Sequence, residues 1–136
     1  MLDLSSNQLK LIQDGSFNFI STLISLNLAN TSLSSLDKDS LSNLVLLKNL
    51  NLSENKLDSI PTNQLRNQRK LKFIDLSKNI FKVLSPHAFR QLEALQVFIR
   101  KNILNRIVFL FIISLLINQK TLKLNETGIE SLPMNV

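Results

Sequence analysis

The stretch LNLSENKLDSI, residues 50–60, decides how this chain is read. Its first three residues alternate apolar, polar, apolar, the period-2 signature of a short strand with one buried face. Leu57 and Ile60 follow at wider spacing, and Asn55 stands between them and the strand. The same frame, L-x-L-x-x-N-x-L-x-x-L, returns five more times. It reads LDLSSNQLKLI from Leu2, LNLANTSLSSL from Leu26, IDLSKNIFKVL from Ile74, VFIRKNILNRI from Val97 and LKLNETGIESL from Leu122. The starts lie 24, 24, 24, 23 and 25 residues apart.

A period of this length is the mark of a stacked array. One unit cannot bury its own apolar side, but neighbouring units bury a continuous core between them. Long connections of equal length exclude hairpins, so the strands must stack in parallel. The other half of each unit repeats as well. Fifteen residues after each start comes Phe17, Leu41, Leu65, Phe89 or Ile112, and three residues later Ile20, Leu44, Gln68, Leu92 or Leu115. These positions are expected to face inward, with Gln68 as the one break in the row.

The Asn position holds Asn7, Thr31, Asn55, Asn79, Asn102 and Thr127. A carboxamide both donates and accepts. Stacked at one level, these side chains can satisfy turn amides and carbonyls that the core would otherwise leave unpaired. They are structural residues in this reading.

Composition limits the functions open to the chain. Its 136 residues suffice for one domain with a real core, and 44% apolar against 19% charged residues favours folding. The chain has no cysteine, which excludes disulfides, zinc–thiolate sites and thiol nucleophiles. Its net charge of +6 points to a solvated basic surface, or else to an acidic partner, a nucleic acid or an anionic membrane surface. Nucleic acid is disfavoured, because no compact basic run is interleaved with aromatics. His87 is the only histidine, no G-x-S-x-G occurs, and Gly15 and Gly128 are isolated. No catalytic, metal or cofactor site is expected. Met1 is not followed by the basic, apolar and small-residue series of a secretory leader.

These six copies in phase resemble the leucine-rich repeat proteins. The 24-residue length and the Phe/Leu position on the return are similar to the subclass of Toll-like receptors, Slit-type guidance proteins and small leucine-rich proteoglycans. The resemblance implies an α/β repeat solenoid over residues 1–136, one domain of about six repeats. A parallel sheet would line its concave face, with loops or short helical turns on the convex side. It also implies protein recognition by a cell-surface or secreted protein. The cysteine-rich caps of such proteins are absent, so the chain is expected to be a fragment of a longer array. Two alternatives stand: an intracellular scaffold for signalling proteins, and an incomplete product without function.

Register then places the outward side chains. Asp3, Asn27, Asn51, Asp75, Phe98 and Lys123 form the central row of the concave face. Ser5, Ala29, Ser53, Ser77, Arg100 and Asn125 follow it. Cations gather around two aromatics in the later half, so Phe73, Asp75, Phe98, Arg100, Lys101 and Lys123 are the expected contacts for an acidic or sulfated protein partner. Three N-x-S/T sequons, at Asn30, Asn51 and Asn125, are candidate glycan sites in a secreted chain, with Asn30 favoured over a concave Asn51.

One stretch breaks the pattern. Ten of the eleven residues 107–117 are apolar where other units are polar on the convex return. A membrane span needs about 20 apolar residues, so no span is expected. A convex partner patch, an irregular buried loop and a corrupted repeat remain open.

Overall fold

The computed structural model describes residues 1–59, 61, 63–81, 92, 94 and 95. The expectations for residues 107–117, His87 and Phe89 lie outside these.

Among the described residues six short strands run in chain order: β1 (Leu2–Asp3), β2 (Leu11–Ile12), β3 (Ser25–Asn27), β4 (Ser35–Leu36), β5 (Asn49–Asn51) and β6 (Phe73–Asp75). One parallel sheet has the order β1-β3-β5-β6. Leu26 pairs with Leu2 and Leu50, and Leu50 with Ile74, so each strand sits one 24-residue period from its neighbour. The expected solenoid with a parallel concave sheet is what forms. The ladder outruns the strands themselves. Beyond them, Leu28 N donates to Asn51 O at 2.8 Å and Asn30 N to Ser53 O at 3.0 Å. Before them, Lys72 N donates to Lys48 O at 2.8 Å.

A second small parallel sheet, β2-β4, was not expected. Leu11 pairs with Ser35 and Ile12 with Leu36. It stacks the ends of two successive motifs, and Ile12 and Leu36 are buried beneath it.

The core follows the motif. Leu26, Leu28, Leu33, Leu50, Leu52, Leu57, Ile74, Leu76 and Phe81 are all buried. The return adds three further rows, because it is built of consecutive three-residue turns. Leu44 N donates to Leu41 O at 3.0 Å and Leu47 N to Leu44 O at 3.1 Å. Side chains three residues apart eclipse in such turns. Leu41, Leu44 and Leu47 therefore all point inward, as do Leu65, Gln68 and Leu71 in the next unit. The third row, which includes Leu47, Leu71 and Leu95, was not foreseen.

Two expectations about the return are corrected. Gln68 does not break the row: it is fully buried. Its Nε2 donates to Leu41 O at 2.7 Å. Beside it, Gln64 Nε2 donates to Leu36 O at 2.7 Å and Asn67 Nδ2 to Ser42 O at 3.2 Å, while Arg66 pairs with Asp39. Amide side chains thus join the returns of units two and three. The residue that departs is Ile20, 37% exposed beside a fully exposed Phe19. Its turn is intact, with Ile20 N on Phe17 O at 3.2 Å. Among the described residues unit one packs against unit two alone, so Ile20 has less cover than Leu44.

Candidate functional site: the open face of the four-stranded sheet

Alternation along the strands sends Leu26, Leu50 and Ile74 into the core and leaves their neighbours half-buried on the opposite face. The central row there is Asp3, Asn27, Asn51 and Asp75, as expected from register. Each of these side chains accepts from the amide two residues on. Asp3 Oδ1 takes Ser5 N at 2.9 Å, Asn27 Oδ1 takes Ala29 N at 3.1 Å, Asn51 Oδ1 takes Ser53 N at 3.0 Å and Asp75 Oδ1 takes Ser77 N at 2.9 Å. An Asx turn repeated in each of the four described strands' units fixes these four groups. The face is therefore preorganised, which lowers the ordering cost of binding.

The Ser5 hydroxyl donates to Asp3 Oδ1 at 2.7 Å. That bond, the Ser5 amide and the Asn27 side chain hold the Asp3 carboxyl below the ordinary aspartate value. A lowered folded value favours the folded state above the unfolded value. That contribution is lost as pH falls through the folded value. Ser5→Ala is expected to move the Asp3 titration upward, which a carboxyl-carbon NMR titration checks.

Between the rows lies an open trough of about 430 Å³. Met1, Ser25, Asn27, Asn49, Asn51, Phe73 and Asp75 line it, and among the described residues no Lys or Arg side chain does. Phe73 and Asp75, two expected contact residues, come together on β6. Phe98, Arg100, Lys101, Lys123 and Asn125 lie outside the described residues. Lys48 and Lys72 are exposed near the leading ends of β5 and β6. Among the described residues no cluster of His, Asp or Glu could hold a metal ion, and no helix is long and apolar enough to cross a membrane.

The far end of the face has a feature that sequence reasoning missed. Ser6, Asn30, Glu54 and Lys78 all have positive φ, between 54° and 60°. They occupy one row, just before the Asn position. A left-handed non-glycine residue costs about 1–2 kcal/mol, and these positions meet that cost through the ladder on either side. Their side chains pair across units: Asn30 Nδ2 donates to Ser6 Oγ at 3.4 Å and Lys78 Nζ to Glu54 Oε1 at 2.8 Å. Both members of the ion pair are well exposed, so it contributes little to stability. The one signal in the sequence was register, which aligns a polar residue there in every unit.

Comparison with known proteins agrees with the repeat geometry. A family model described as leucine rich repeat matches residues 1–57 and again residues 45–99. No curated protein matches the sequence. Among solved structures, a chain of the Drosophila Toll–Spatzle complex, in its glycosylated form, superposes with a TM-score of 0.63 at 23% identity. The match covers 67% of this chain and 12% of that one, and at this identity the likeness is one of fold.

Proposed function

This chain belongs to the leucine-rich repeat family, and we propose that it is a protein-recognition segment of a cell-surface or secreted protein, binding on the concave face of its sheet. The observation that carries this reading is the preorganised outward row, Asp3, Asn27, Asn51 and Asp75, bordering an open trough. A fixed, solvent-open row of acceptors and amides suits steric and polar complementarity to another protein. The Toll–Spatzle likeness supports a receptor-like setting.

The partner contacts in this reading are Phe73, Asp75, Phe98, Arg100, Lys101 and Lys123. Arg100, Lys101 and Lys123 supply the positive charge that selects an acidic or sulfated protein. Reversing Arg100 and Lys123 together to Glu is expected to weaken binding about tenfold at low salt. It should also flatten the salt dependence, since fewer charges steer encounter. Titration of the bound partner at two ionic strengths checks this. Unchanged affinity and salt slope would remove these residues from the interface.

A further inference from the structure

Two sequons fall on described residues, and the structure treats them differently. Asn30 is exposed and lies in the left-handed row at the far end of the sheet, outside the trough lining. Its backbone is fixed by Asn30 N on Ser53 O at 3.0 Å. Its Nδ2 makes one long bond, 3.4 Å to the Ser6 hydroxyl, which is also at the surface. Replacing one N–H there by a glycosidic bond sacrifices little, and the sugar leaves directly into solvent.

Asn51 is the opposite case. It sits in a central strand, between Asn27 and Asp75 in register, and it lines the trough. Its Oδ1 is engaged twice, by Ser53 N at 3.0 Å and by Ser53 Oγ at 2.7 Å. The hydroxyl of its own sequon therefore locks the carboxamide. The side chain so held is one that lines the trough. A sugar attached to it would fill that space and cover Asp75 and Asn27.

We propose that Asn30 carries an N-linked glycan while Asn51 stays bare, so that the chain is glycosylated at the sheet's far edge with its concave trough open. This rests on the secreted or cell-surface reading above. It assigns the two sequons opposite roles: one tolerates a glycan, and the other would close the binding face if it were modified.

The test delivers the full chain to the secretory pathway behind a cleavable leader, so the outcome does not depend on the native location. Occupancy is read by glycosidase-sensitive mobility and glycopeptide mass on the whole leader-cleaved pool, including any chain that fails to leave the cell. Asn30→Gln should remove one glycan, Asn51→Gln should leave the pattern unchanged, and Asn125→Gln reports the third sequon separately. Occupied Asn51, or unoccupied Asn30, overturns the proposal. The cell-surface reading is tested apart from this, by locating the natural gene product, and its failure would leave the assay's result on sequon choice intact.

Discussion

Asn55→Ala is expected to destabilise the chain by about 3–5 kcal/mol. Asn55 is buried and joins unit two to unit three. Its Oδ1 accepts from Thr31 N at 3.0 Å, Leu33 N at 2.9 Å and the Thr31 hydroxyl at 3.0 Å. Its Nδ2 donates to Leu28 O at 2.7 Å and Leu52 O at 3.0 Å. The carbonyls have substitutes, since Thr31 Oγ1 also reaches Leu28 O and Asn79 Nδ2 also reaches Leu52 O. The amides of Thr31 and Leu33 have none among the described residues. Two buried donors without partners cost about 1–3 kcal/mol each, and loss of the side chain's own packing adds to that.

Asn55→Thr should cost roughly half as much, for a reason visible at Thr31. There the amides of Leu9 and Lys10 turn to the Thr31 main-chain carbonyl, at 3.0 and 3.3 Å, where Leu33 and Leu57 use an Asn side chain. The repeat tolerates Thr because the backbone can supply the missing acceptor. Urea denaturation of the three proteins, with an unchanged slope on denaturant, gives the comparison directly. Equal losses for Ala and Thr would show that the main-chain substitute carries no weight.

Leu44→Ala is expected to cost about 2–5 kcal/mol, and Ile20→Ala under about 1 kcal/mol. Both occupy the same position of the repeat and the same three-residue turn. Leu44 is fully buried between units one and three, so truncation leaves a cavity walled on both sides. Ile20 is 37% exposed, and water fills the space that its removal opens. Comparable losses at the two sites would mean that unit one is covered in solution by something that the chain alone does not provide.

This pair also shows how far the repeat could be read from sequence. Spacing alone predicted every strand pairing of the large sheet, because Leu26 and Leu50 occupy the same frame and parallel stacking leaves no other register. It predicted the outward row for the same reason. Exposure of Ile20 was not legible, since register says where a side chain points and not whether a neighbour covers it. Gln68 looked like an error in an apolar row, because its carbonyl partner lies 27 residues back on another unit. The left-handed row escaped notice because Glu54 and Lys78 carry no local preference for positive φ. They adopt it under the ladder's constraint. Of the expected contact residues, Phe73 and Asp75 fall where register placed them, on one strand beside the trough.

In the proposed function the concave sheet is the recognition surface. Hydrogen exchange of the chain with and without its bound protein partner tests it most directly. New protection is expected at residues 25–27, 49–51 and 73–75, with the convex returns at 39–43 and 63–68 unchanged. Protection confined to those returns, with the sheet untouched, would contradict it.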